Sequence, residues 1–140
     1  MLASTACSGS DDREASGPTP DEALAELELA AGELLGAGAP GNEITVLPRR
    51  EVLCGGPGGN ERIKVKYSYV AGAGLVDDPE QTLGAATAAG EALGLETELR
   101  EVSSTELGFR GESFRGALRV LPSGALQVRA QTDCLDHPQR

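Results

Sequence analysis

The sequence contains few of the residues that usually build a large core or a catalytic site. It has two tyrosines, two phenylalanines and no tryptophan among 140 residues. Because the remaining apolar side chains are mostly small, each buries little area and contributes little free energy. The single histidine, His137, stands three residues from the C-terminus, where a general base would lack rigid placement. We therefore expect a modest core and no enzymatic activity.

Positive charge is also scarce. The net charge is −10 at pH 7, and the only lysines are Lys64 and Lys66. Residues 1–48 carry a net charge of −8, whereas residues 49–140 carry −2. Binding to nucleic-acid phosphates requires a basic surface, so this composition disfavours a nucleic-acid partner. The acidic front indicates a solvated tail and helix face or, alternatively, a docking surface for a basic partner.

Several familiar motifs are missing. The sequence contains no run of about 18 apolar residues, the length needed to span a membrane. Its start has neither the basic nor the apolar region of an ordinary signal peptide. The glycine-rich stretch 55–60 leads into a predicted strand and lacks a following Gly-Lys-Ser or Gly-Lys-Thr, which predicts a turn rather than a phosphate-binding loop. Two cysteines and one histidine fall short of a four-ligand zinc site. We expect neither a metal nor a cofactor.

Two stretches carry the signals of a helix start. Thr19, Pro20 and Glu22 provide an N-cap, a first helical residue and a capping box. Residues 78–81 repeat this pattern with Asp78 as the cap. The first helix has an apolar stripe at helical spacing: Leu24, Leu27, Ala31, Leu34 and Leu35. The second has a narrower stripe: Leu83, Ala86, Gly90 and Leu93. Glycines at 36–41 and at 94 predict where the two helices end.

Alternating apolar and polar residues predict strands in the rest of the chain. Five strands are expected at 43–53 (with Pro48 as an edge, bulge or break), 63–69, 96–103, 114–121 and 126–130, and residues 107–109 are either a further short strand or a connection. If the alternation of the last strand continues to position 134, Cys134 lies on its apolar face. The predicted fold class is α+β, with two helices on one face of a single antiparallel sheet in the order αββ-αβββ.

The N-terminus has a cysteine that follows small residues. Thr5 and Ala6 precede Cys7, and the polar segment 8–19 contains too little apolar surface to join a core. This pattern resembles the end of a bacterial lipoprotein signal, although Ser4 replaces the family's aliphatic residue and no apolar region precedes it. A start assigned too far downstream or a trimmed chain would explain that absence. The resemblance implies that Cys7 carries a diacylglycerol thioether; the alternative is an unmodified cysteine on a tail.

The two other cysteines each stand at the end of a predicted strand. If Cys7 carries a lipid, two cysteines remain. In an exported bacterial protein, such a pair indicates a disulfide between Cys54 and Cys134. The alternative is a pair of buried free thiols in a cytosolic protein. Because there is no Cys-x-x-Cys motif, disulfide exchange chemistry is not expected.

Together, the cysteine-containing tail, the capped helix and the strand-end cysteines resemble small envelope lipoproteins of actinobacteria, many of which have no assigned activity. The resemblance implies attachment to the outer face of the cytoplasmic membrane, facing the cell wall. The expected organisation is a lipobox-like N-terminus and tether at 1–18, a single α+β domain at 19–135 and a tail at 136–140.

The leading functional hypothesis is a non-enzymatic, membrane-tethered module that binds a small ligand or an envelope protein. Its expected binding face is the side of the sheet opposite the helices, with Lys64, Lys66, Arg115, Arg119 and Arg129. That face is alternatively only a solvated sheet surface. The other hypotheses are a structural or accessory subunit of a cell-envelope complex and an enzyme that uses carboxylates alone.

The lipid on Cys7 is directly testable. Intact mass spectrometry of the protein from its native membranes should show an N-terminal Cys7 with diacylglycerol attached, and a Cys7→Ser variant should leave the membrane fraction. An unmodified Cys7 in membrane-derived protein would contradict the expected localisation.

Overall fold

The computed structural model describes residues 18–55, 64–100 and 106–137. Those ranges contain two helices and eight strands in the following order: α1 (Pro20–Gly38), β1 (Thr45–Val46), β2 (Arg50–Gly55), β3 (Lys64–Leu75), α2 (Pro79–Ala92), β4 (Glu96–Arg100), β5 (Glu106–Arg110), β6 (Phe114–Val120), β7 (Ala125–Thr132) and β8 (Leu135–Asp136). The proposed lipidation site Cys7 and most of the glycine-rich turn lie outside the described residues.

All strands belong to one sheet, in the order β1-β3-β7-β6-β5-β4. Strands β2 and β8 also pair with β3, and every pairing is antiparallel. The predicted α+β class is confirmed. The expected strand at 43–53 is divided into β1 and β2 around Pro48, which was predicted as an edge, bulge or break because proline supplies no donor for the ladder. One detail differs from the prediction: Asp136, the start of the expected tail, belongs to β8 and pairs with Lys64.

Both predicted helix starts are confirmed. The Thr19 hydroxyl accepts a hydrogen bond from the Glu22 amide at 3.1 Å, and the Glu22 carboxylate accepts one from the Thr19 amide at 3.0 Å. This reciprocal pair satisfies two amides that the helix itself leaves unpaired. In α2, the Asp78 carboxylate accepts a hydrogen bond from the Gln81 amide at 3.3 Å.

The core lies between the helices and one face of the sheet. The whole predicted stripe of α1 is buried there, together with Leu107, Leu118 and Val128 of the sheet. Small residues let α2 pack closely beside α1: an added Cβ at Gly90 would lie 3.5 Å from Leu34 and 3.0 Å from Thr97. The predicted stripe of α2 is buried except for its last member, Leu93, which is 42% exposed.

The disulfide between Cys54 and Cys134 is present, with a Cα–Cα distance of 6.0 Å. It joins Cys54 in β2 to Cys134 just before β8, and β2 and β8 both pair with the start of β3. The predicted position of Cys134 on the apolar face is wrong, because the side chain is exposed. The alternation stops at Thr132: β7 ends there, and the Asp133 amide bonds instead to the Ser113 carbonyl at 2.8 Å.

Removal of the disulfide should weaken the fold. The two cysteines are separated by 80 residues, and closing so long a loop restricts the unfolded chain. A Cys54→Ser/Cys134→Ser variant should therefore lose about 2–4 kcal/mol of unfolding free energy in urea titrations. A reductant should lower the urea midpoint of the native chain but leave that of the variant unchanged. Equal midpoints for the oxidised native chain and the variant would contradict a stabilising role.

Candidate functional site

The sheet has a second face, which we call the outer face, on the side away from the helices. Alternate residues of each strand project from opposite faces. Because Leu107, Leu118 and Val128 are buried under the helices, their strand neighbours project from the outer face. The register then defines two rows across the sheet. One row is Gln131, Arg115, Arg110 and Glu96, and the next is Arg129, Ala117, Gly108 and Glu98.

A broad concavity lies on this outer face. It has a volume of about 920 Å³ and is open to solvent. The middle of one row forms the floor of the concavity: Ala117 has a small side chain, and the Arg100 guanidinium lies over Gly108. Charged residues surround this floor: Glu96, Glu98, Arg100, Arg110, Arg115 and Arg129. We call this feature the arginine concavity. Its volume is in the range of sites for small molecules.

Two arginines of the concavity are direct neighbours with the same charge. Arg110 on β5 is the register partner of Arg115 on β6. Like charges directly opposite each other on antiparallel strands destabilise the pair. Among the described residues, no ion pair is formed by Arg110, Arg115 or Arg129. Among the residues that the structure describes, the concavity therefore contains three exposed guanidinium groups with no counter-charge in contact.

A third row on the outer face contains Arg119, Glu106 and Arg100 and is arranged differently. Glu106 forms ion pairs with Arg100 and with Arg119, the latter at 3.5 Å. Arg100 reaches back over Gly108, where an added Cβ would overlap its guanidinium group. Arg119 is therefore satisfied within the sheet, and it does not line the concavity.

The five basic residues expected on the binding face are separated by the structure into different positions. Arg115 and Arg129 line the concavity, whereas Arg119 is paired with Glu106. Lys64 and Lys66 lie near the start of β3 and are not among the lining residues, and Lys64 is the register partner of Asp136.

Four charged residues of the concavity were not predicted to belong to the binding face: Glu96, Glu98, Arg100 and Arg110. Strand parity could have placed Arg110 on the outer face, since it follows the alternation of Leu107 and Phe109. The sequence contains no signal that puts β4 beside β5 and β5 beside β6 in this register.

Polar contacts on the helix side have a structural role. The Tyr67 hydroxyl donates to the Asp21 carboxylate at 2.9 Å, and Arg49 donates to Glu28 at 2.6 Å. That hydrogen bond to Glu28 raises the pKa of the Arg49 guanidinium. Burial raises the pKa of the Tyr69 phenol. These contacts join the β2 and β3 side of the sheet to α1 and leave the outer face untouched.

The described residues contain no group of three or more histidine, cysteine or acidic residues placed to hold a metal ion. The groups in the concavity are guanidinium donors and exposed carboxylates. Guanidinium groups form paired, charge-assisted hydrogen bonds with carboxylate and phosphate groups. The arrangement is suited to binding a charged ligand.

Comparisons of the chain with protein-family models, with curated proteins and with known structures give no match. The site is therefore interpreted from its geometry alone. In the described ranges, neither helix has the length and apolar character needed to cross a membrane.

The unpaired arginines lead to a stability prediction. Arg115→Gln should raise the unfolding free energy by about 0.2–1 kcal/mol, because it removes a like-charge cross-strand neighbour. The matched control is Arg119→Gln, which makes the same charge change on the same strand. It should lower stability by up to about 1 kcal/mol, because it breaks an ion pair. Both values come from urea titrations at low salt.

High salt provides the second arm of this test. At about 1 M salt the screening length is only about 3 Å, so the difference between the two variants should shrink. Equal destabilisation by Arg115→Gln and Arg119→Gln at low salt would contradict the view that Arg115 is repelled within the sheet.

Proposed function

We propose that this chain is a non-enzymatic binding module tethered through Cys7 to the extracytoplasmic side of the cytoplasmic membrane. Its binding surface is the arginine concavity. The observation that carries the proposal is the contrast between the row of Arg119 and Glu106 and the two rows that form the arginine concavity. The fold pairs Arg119 with Glu106 but leaves Arg110, Arg115 and Arg129 without an ion-pair partner among the described residues. A bound ligand would supply the missing counter-charge.

The disulfide supports the proposed location. Disulfides persist in oxidising compartments outside the cytoplasm and are uncommon inside it. The Cys134 side chain is exposed, so a reducing compartment would have access to the bond. Together with the lipoprotein-like Cys7 segment, this favours an exported and anchored protein.

The alternative proposal is a structural or accessory subunit of an envelope complex, and one edge of the sheet favours it. Among the described residues, strand β1 pairs only with β3, and no described strand pairs with its other side. Apolar side chains near this edge are exposed: Val46 at 47%, Leu47 at 52% and Leu53 at 66%. Exposed edge strands with apolar side chains are common sites of strand addition by a partner.

Site-specific photo-crosslinking in the native envelope separates the two proposals. A benzoylphenylalanine at Ala117, on the floor of the concavity, should give adducts that disappear in an Arg115→Gln/Arg129→Gln background. The same probe at Ala85, an exposed residue of α2, is the control and should give none. Adducts from a probe at Val46 but not at Ala117 would replace the first proposal with the accessory subunit.

A further inference from the structure

The charges around the concavity are unevenly distributed across the sheet. Arg129, Arg115 and Arg110 lie on β7, β6 and β5, whereas Glu96 and Glu98 lie on β4 at the sheet edge. The site therefore runs from positive groups on β7 and β6 to negative groups on β4, and Arg110 lies between them as the register partner of both Arg115 and Glu96. A ligand that matches both ends must carry an anionic group and, some distance away, a hydrogen-bond donor.

The spacing of the strands sets the size of such a ligand. Neighbouring strands lie about 4.8 Å apart, so β6 and β4 are separated by roughly 10 Å. A ligand that contacts both Arg115 and Glu96 or Glu98 therefore spans roughly 5–10 Å. The lower value applies when the side chains lean toward the ligand and shorten the gap between the strands. This is the size of a small metabolite, not of a polymer segment.

The geometry of the arginines specifies the anionic group. Arg110 and Arg115 are direct cross-strand partners, and Arg129 lies in the neighbouring row on β7. Several guanidinium groups around one position match the oxygens of a carboxylate or phosphate, because each guanidinium offers donors in a planar fork. An oxyanion placed there also removes the like-charge repulsion between Arg110 and Arg115.

We infer that the arginine concavity binds a small organic oxyanion, with its carboxylate or phosphate on Arg110, Arg115 and Arg129 and an amine or hydroxyl group facing Glu96 and Glu98. This inference rests on the proposed binding function and names the class of ligand. Arg100 and Arg119 take no part in it, since Glu106 already holds both.

Four probes test the ligand class by titration, followed through the backbone amide resonances of Gly108 and Ala117. O-phosphoethanolamine carries a phosphate and an amine, β-alanine carries a carboxylate and an amine, inorganic phosphate lacks the amine, and ethanolamine lacks the oxyanion. We expect saturable shifts with at least one of the first two probes and none with ethanolamine. The tighter of the two identifies the oxyanion as phosphate or carboxylate.

Matched variants connect the shifts to the proposed residues. Arg115→Gln should weaken binding of the better probe about tenfold or more, as expected for the loss of a charge-assisted hydrogen-bonding pair. Arg119→Gln, with the same charge change, should alter binding by less than about twofold. Unchanged resonances of Leu27 and Val65 in the core will show that each variant is folded.

A third variant tests the donor end of the ligand. Glu98→Gln should reduce the preference for O-phosphoethanolamine over inorganic phosphate, while binding of inorganic phosphate stays equal or becomes tighter. An unchanged preference in both Glu98→Gln and Glu96→Gln would overturn the two-ended ligand.

Other outcomes would overturn the inference as a whole. These are the absence of saturable shifts with every oxyanion probe, or equal weakening by Arg115→Gln and Arg119→Gln. The result is separable from that of the crosslinking experiment. Arginine-dependent adducts at Ala117 without any oxyanion binding would leave the binding module intact and refute its ligand class. Oxyanion binding without adducts would support the ligand class and refute the proposed envelope role.

Discussion

The fold depends on the pairing of β3 with strands on both of its sides. This 12-residue strand pairs with β1 and β2 along one side and with β7 and β8 along the other. Its apolar face, which includes Val65 and Tyr69, is buried. The disulfide connects β2, on one side of the start of β3, to the residue that precedes β8 on the other side. Because a one-residue shift would turn every side chain of a strand to the opposite face, this pairing also determines which residues of β7 reach the outer face.

The shortage of aromatic residues has different consequences on the two faces of the sheet. On the helix side, small residues let α1 and α2 approach closely, as Gly90 does beside Leu34. On the outer face, Ala117 leaves an open floor among long charged side chains, and the absence of a side chain at Gly108 lets Arg100 lie across the sheet. The protein thus combines a modest core, reinforced by a covalent link, with a concave surface where three arginines have no ion-pair partner among the described residues.

Local features of the structure were predictable from the sequence. The caps at Thr19 and Asp78 and the interruption at Pro48 depend on neighbouring residues alone, and the structure contains all three. The prediction for Cys134 was wrong, since parity was extended beyond the point where β7 ends. Arg110 was not identified as part of the site, because its importance comes from the residue opposite to it on another strand.

The sequence by itself determined the two capped helices, the α+β class and the existence of a charged sheet face, because each follows from local chemistry or periodicity. It favoured a Cys54–Cys134 disulfide over free thiols, and the structure contains that disulfide. Only the tertiary structure decided which charged residues act together. The antiparallel register placed Glu106 between Arg100 and Arg119, and placed Arg110 directly opposite Arg115. Register is a long-range property: it brings together residues whose separation in the chain gives no indication that they will meet.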